Sequence, residues 1–240
     1  MNLSARIIIF ASFLLCSVST QAAKLALIID DIGYKQTDHR VFELPKEVTL
    51  AILPFTPQAS HIARKAHLQG HEIMLHLPMQ ALNGKRLGKG GLDNGMNDQQ
   101  IRKVLSAALT EIPYAKGANN HMGSLLTQLT KPMHSVMSFL RQNGLYFIDS
   151  RTTKFSKAKD VAYKHGVPNM KRQFFLDNSV KQVDLEKQFS LMLTRAKREQ
   201  QLIVIAHPHT ETMQFLKENL HKLDKLGVKL VPVSKLITRW

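Results

Sequence analysis

Short apolar runs that end on polar, ligand-type residues recur along this chain. The first, Leu25-Ala26-Leu27-Ile28-Ile29, stops at the paired carboxylates Asp30 and Asp31 and then at Gly33. Others close on His76 after Ile73-Met74-Leu75, on Asn119, Asn120 and His121 after Gly117-Ala118, and on Asp149 after Tyr146-Phe147-Ile148. Two more close on Asp177 after Phe174-Phe175-Leu176 and on His207 after Leu202 to Ala206. A continuous apolar run predicts a strand covered on both faces. Such a strand carries charge only where its end opens onto solvent, a metal or a substrate.

Between these runs the period changes from that of a strand to that of a helix. Ala59, Ile62, Ala63 and Ala66 repeat at helical spacing and stop at Gly70, between strands predicted over Val48 to Leu53 and Glu72 to Leu77. Ile101, Val104, Leu105 and Ala108 form a second stripe. Met133, Val136, Met137 and Leu140 form a third, opened by Thr130 and Pro132 and closed by Gly144. Leu185, Phe189, Met192 and Ala196 give a fourth. Met213, Leu216, Leu220 and Leu223 give a fifth, closed by Gly227 before a last strand over Lys229 to Val233. These Met and Phe stripes are core faces. Alternating strands and helices with short Gly-terminated links predict parallel strands covered by helices. About eight of them suit an α/β barrel, whose working residues sit at the carboxyl ends of its strands. The competing architecture is an open doubly wound sheet, but no GxGxxG turn follows the first strand, so a dinucleotide site has no support.

The first 22 residues carry the marks of a secretory signal peptide: Arg6, an apolar run from Ile7 to Val18, and a small-x-small site at Thr20-Gln21-Ala22. The run falls short of the roughly 20 residues needed to span a bilayer. An uncleaved anchor is the competing reading. Leu15 before Cys16 argues against lipidation. Cleavage after Ala22 leaves one domain, 23–240, without its single cysteine and therefore without thiol or disulfide chemistry, in the periplasm. The 33 Lys and Arg outnumber the 18 Asp and Glu, for a net charge of +15, and they are spread rather than blocked. Export argues against nucleic acid as the partner of that charge and favours loose association with an anionic envelope surface or polymer. A solvated basic surface is the plainer alternative.

Carboxylate and imidazole groups arriving from different strands can hold a divalent metal, most simply zinc. Asp31, His76 and His121 would supply three ligands and leave a position open. With eleven histidines in the chain, any one of them is weak evidence alone; three strand ends with a carboxylate pair are stronger. Asp30 is either a catalytic group or a helix N-cap. Asp149 and Asp177 either assist catalysis or cap and pair in loops. Asn119 and Asn120 either bond neighbouring ligands or turn the chain. His209, after Pro208 and before a helix start at Thr210, is placed at the margin of the site or on the surface. The Gly- and Lys-rich stretch from Ala81 to Asn97 is either a surface connection or a flap over a substrate. It lacks the Gly-Lys-Ser/Thr element of a phosphate-binding loop.

The stretches IIDDIG (28–33), GHEIMLHLPMQ (70–80), GANNHMGS (117–124), FIDSRTT (147–153) and IAHPH (205–209) resemble the divergent branch of the polysaccharide deacetylases. That branch is related to esterases that remove acetyl groups from chitin-like and cell-wall glycans. The resemblance spans nearly all of the chain after the signal segment. It implies a distorted (β/α) barrel of about seven to eight mainly parallel strands, and a metal-dependent hydrolase acting on an acetylated glycan or other envelope polymer. Residue by residue it makes Asp30 the base, Asp31 a metal ligand and His76 the first metal-binding histidine. The second histidine of the pattern lies four residues later, where this chain has Gln80. An amide oxygen is a poorer zinc ligand than imidazole, so His121 is the expected replacement and Gln80, with Asn120 and His209, an outer or substrate-facing group. Ile205-Ala206-His207 matches the late Leu-x-x-His element only in its ending. It makes His207 the acid, oriented by Asp149 or Asp177. The Arg-Pro motif has no counterpart. These departures leave a second reading open: a metal-containing envelope protein with reduced turnover that binds glycan or a protein partner. A metallophosphoesterase could also use paired Asp and several His, but would want ligands for two metals.

Overall fold

A computed structural model describes residues 22–237. The expected signal peptide, except for Ala22, lies outside the described residues. Among the described residues nine strands form one sheet, every pairing parallel. They are β1 (Ala23–Ile32), β2 (Thr49–Ile52), β3 (Ile73–Met79), β4 (Ala115–Met122), β5 (Tyr146–Asp149), β6 (Asn169–Lys171), β7 (Phe174–Phe175), β8 (Gln201–Ala206) and β9 (Val228–Leu230). The helices are α1 (Ala59–Leu68), α2 (Asp98–Glu111), α3 (Thr130–Gln142), α4 (Ala158–Lys164), α5 (Gln182–Glu199) and α6 (Thr210–Asn219).

The sheet runs β6-β5-β4-β3-β2-β1-β8-β7, and β9 pairs with the first residues of β1. β6 and β7 are two pieces of one segment. Arg172 N donates to Asp149 O at 2.9 Å, while Gln173 N donates to Ile203 O and Leu176 N to Ile205 O, each at 3.0 Å. The chain thus steps across from β5 to β8 within two residues and turns the sheet into a distorted barrel, as the strand–helix alternation predicts. The strand count exceeds the expected seven to eight because this closing segment is split and β9 is a short addition at the opposite end.

Strand alternation sorts the core into two layers. Leu25, Leu27 and Ile29 of β1 pack with the helices, whereas Ala26 and Ile28 pack inside the barrel with Ala51, Met74, Tyr146, Ile148, Ile203 and Ile205. Burial of each such Ile, Leu or Met side chain contributes roughly 1.5–3 kcal/mol. Two residues further along the same strands, the interior positions become Asp30, His76, Asn119, Ser150 and His207. The apolar interior therefore ends in a polar layer at the carboxyl ends of the strands, and the fold fixes that layer by register alone.

The fifth predicted helix stops early. Asn219, whose Nδ2 donates to Phe215 O at 2.8 Å, is the last residue of α6; the buried Leu220 opens a 3-10 turn at Leu220–Lys222, and the buried Leu223 lies between it and a second at Asp224–Leu226. Helix α4 and the 3-10 segment Gln36–Glu43 were not anticipated; each presents too few apolar positions to set a period. No helix among the described residues is long and apolar enough to cross a membrane.

Candidate metal and active site

A regular strand would send the adjacent Asp30 and Asp31 to opposite faces. Here the β1–β2 register shifts between Ile29 and Ile32, and Asp31 takes a left-handed φ of 60°. The irregularity turns the second carboxylate back toward the barrel mouth, as bulges beside active sites do. Met122 (φ 53°), the last residue of β4, and Arg151 (φ 52°), two residues past the end of β5, are left-handed too. Non-glycine residues held there carry strain that clusters at functional sites.

Asp31, His76 and His121 meet at one point. Asp31 Oδ1 lies 2.9 Å from His76 Nε2 and 2.7 Å from His121 Nδ1, and the two imidazole nitrogens are 3.2 Å apart. Burial alone would raise the Asp31 pKa, but hydrogen bonds from His121 and His76 outweigh it and hold the carboxylate well below its usual range. Burial likewise works against charge on His76. The adjacent Asp30 and Asp31 overcome it and raise the imidazole to about 9. Two carboxylates thus make this spot favour positive charge, and one carboxylate oxygen with two imidazole nitrogens is a donor set that suits a borderline divalent cation.

Asn119 locks the arrangement from below. Its Nδ2 donates to Asp30 Oδ1 at 2.8 Å, so its Oδ1 faces His76 and accepts from Nδ1 at 2.7 Å. That bond fixes the His76 tautomer and leaves Nε2 directed at the Asp31 side, the usual outer support of a ligating histidine. Asp30 is not a helix cap. It is 3% exposed, and burial raises its pKa against the opposing pull of His76, His207 and the Asn119 bond. The turn after β1 is instead tied by Asp38, whose Oδ2 accepts from Gly33 N and Lys35 N at 2.8 and 2.9 Å.

Across the mouth, His207 Nδ1 bonds Asp177 Oδ1 at 3.0 Å. Asp177 Oδ2 accepts from His207 N at 2.7 Å and from Thr212 Oγ1 at 3.1 Å. Burial disfavours the imidazolium, but the Asp177 bond and the charges of Asp177, Asp30 and Asp31 prevail and raise the His207 pKa above the ordinary histidine value. Of the two carboxylates considered for orienting His207, Asp177 does so and Asp149 does not. Asp149 shares the phase of the outward-packed Phe147 on β5, and its Oδ1 accepts from Arg151 N at 2.8 Å.

The remaining predicted residues are supports. Asn120 joins β4 to the end of β5, accepting from Ser150 N at 2.9 Å and donating to Met122 O at 2.7 Å. Gln80 Oε1 accepts from Asn94 N at 2.9 Å, and the Gln80 main chain bonds Leu92, Leu125 and Leu126. It anchors the 81–97 loop outside the Asp31–His76–His121 group. That loop folds back toward the site, with Gly88 against Tyr34 and Gly90 against Phe55. His209 lies beside Asp177 and His207. One residue escaped the sequence reading. Arg172, between β6 and β7, sits 3.7 Å over the Phe175 ring, bonds Ser150 O and Arg151 O, and feels the charges of Asp149 and Asp30. It lacks the proline of an Arg-Pro motif, and its two flanking strands are too short to show a pattern; only the apolar Phe174-Phe175-Leu176 run beside it marks the place.

A cavity of about 210 Å³ opens here, lined by Asp31, His121, His207, His209, Tyr34 and Lys35. A larger one, about 610 Å³, lies at the other end of the barrel beside Lys24 and Leu230, but no group of converging ligand atoms accompanies it among the described residues. The chemistry therefore marks the smaller cavity.

The profile of the family described as divergent polysaccharide deacetylase matches residues 27–237. The chain belongs to the divergent polysaccharide deacetylase family. Relatives include the uncharacterized protein YibQ of Escherichia coli K12, 37% identical over 232 residues that cover 96% of this chain and 72% of YibQ. An uncharacterized protein of Haemophilus influenzae is 35% identical over 230 residues, 95% of this chain and 82% of its own length. Among solved structures, an uncharacterized protein from Agrobacterium tumefaciens C58 shares the fold with a TM-score of 0.85 at 22% identity, covering 91% of this chain and 90% of that one. In this member of the family, then, the barrel mouth carries Asp30, Asp31, His76 and His121 on one side and the Asp177–His207 pair on the other.

Proposed function

We propose that this member of the divergent polysaccharide deacetylase family is a metal-dependent hydrolase that removes acetyl groups from amino sugars of a glycan in the periplasm. The observation that carries the reading is the separation of roles at the barrel mouth. One cluster suits a cation, a second carboxylate lies beside it without joining it, and a carboxylate-held imidazole faces both.

Asp31, His76 and His121 would hold the cation, which when bound supplies Lewis acidity for water and for the acetyl carbonyl. Asp30 accepts the proton of the attacking water. Its Oδ1 is occupied by Asn119, which leaves Oδ2 for that proton, and a bound cation would keep the buried carboxylate ionised. His207 carries a proton on Nε2, its ring oriented by the bond from Nδ1 to Asp177, and gives it to the departing amine. Arg172 stacks on Phe175, whose ring lies 6.0 Å from that of His207, and the exposed Tyr34, with Gly88 of the 81–97 loop against it, offers a surface over which a polymer can lie. The net positive charge of +15 favours residence near anionic envelope material.

The test is metal content of purified protein together with hydrolysis of N-acetylated amino-sugar oligomers. Near-stoichiometric zinc, lost in His76→Ala and in His121→Ala, is expected. Asp30→Asn is expected to keep the metal and lose about 10²- to 10⁴-fold in rate. Retained metal with no hydrolysis of any acetylated glycan would instead favour the reading as a glycan- or protein-binding envelope protein. No metal after reconstitution would overturn the metal-dependent hydrolase and leave glycan or protein binding as the working account.

A further inference from the structure

A second group of ligand atoms lies in the same cavity. Asp177, His207 and His209 place one carboxylate oxygen and two ring nitrogens within 4.8 Å of one another. Asp177 is held in place by buried contacts: its side chain is fully buried, and its Oδ2 is held by His207 N and Thr212 Oγ1. Those bonds hold Oδ1 against the His207 imidazole. His209 is the residue just before α6, and its exposed ring can approach from the solvent side. The set is again one carboxylate and two imidazoles, the same donors as Asp31, His76 and His121.

We propose that Asp177, His207 and His209 form a second, weaker divalent-cation site whose occupancy silences the His207 acid. The proposal rests on the reading of His207 as the proton donor. An imidazole bound to a cation through one nitrogen remains neutral and holds the proton on its other nitrogen far more tightly than an imidazolium does, so it no longer donates to a leaving amine. A cation here also takes the Asp177 oxygen that orients the ring. The site is the weaker of the two for two physical reasons. It abuts the positive N-terminal end of the α6 dipole, and the exposed His209 ring loses rotamer freedom when it is ordered on a cation. Hydrolysis would therefore rise as the first cation loads and fall as excess cation fills the second site.

Zinc alone, titrated into the full-length protein and followed by equilibrium dialysis, tests this apart from any turnover. Two classes of bound zinc are expected in the wild type. His209→Gln should weaken the looser class by at least the ~10- to 100-fold that loss of even an outer partner costs and leave the tighter one; His76→Ala should do the reverse. The His134–His165 pair, 2.7 Å apart, offers only two donors and is controlled by His134→Gln. A single class in the wild type, or a second class removed by His134→Gln and not by His209→Gln, would overturn the proposal. Where an acetylated oligomer is hydrolysed, inhibition by excess zinc should be relieved in His209→Gln. If no oligomer is hydrolysed, the deacetylase reading fails while the dialysis still decides the second site.

Discussion

At the scale of single residues, the amide of Asn119 ties the proposed base to the proposed metal-holding group. It donates to Asp30 and accepts from His76, so one side chain positions both that carboxylate and the tautomer of that imidazole. Asn119→Ala should lower zinc affinity about 10- to 100-fold without unfolding the barrel, as competition against a zinc chelator would show. The His207 imidazole gives a pH signature. Its raised pKa keeps it protonated above the ordinary histidine value, so the alkaline limb of the rate profile, where the acid loses its proton, should fall above pH 6.5. Asp177→Asn removes the main supporting charge and should move that limb downward; a limb that stays in place would mean another group is the acid. The sequence made Asp30, Asp31, His76, His121 and His207 visible because each ends an apolar run. It could not separate Asp149 from Asp177, since both end such runs and only the phase of β5 turns Asp149 away. Nor could it assign Asn119, whose two bonds depend on the register between β3 and β4 that sets His76 opposite it.

At the scale of elements, long amphipathic helices and strands were legible from period alone, and short ones were not. The closing segment 169–175 forms two strands of three and two residues, too brief for either template, so Arg172 stayed hidden although it feels the Asp30 charge. Asp31 offers the complementary case. Sequence shows two adjacent carboxylates, but only the left-handed turn of the backbone explains how both serve one site. Packing between neighbouring strands makes a further prediction. A Cβ on Gly117 would lie 2.2 Å from the Tyr146 ring, and Tyr146 in turn bonds Glu72 at 2.9 Å through its hydroxyl. Gly117→Ala should therefore displace the ring and destabilise the protein by about 1–3 kcal/mol, measurable as a lower urea midpoint with the slope unchanged.

At the scale of the whole molecule, β1 carries both carboxylates, and its neighbours come from opposite ends of the chain. It pairs with β2 on one side, and with β8 and β9 from the last forty residues elsewhere along its length. Contacts of such high sequence separation form late and slow folding. Before a ribosome has made residues 201–207, the strand bearing Asp30 and Asp31 has one flank open and His207 does not yet exist. A polypeptide ending at Gln200 should accordingly show no cooperative urea transition and no stoichiometric zinc. The nascent chain stays unclosed until its final strands arrive, so the order of synthesis itself delays completion of the barrel mouth to the last step of assembly.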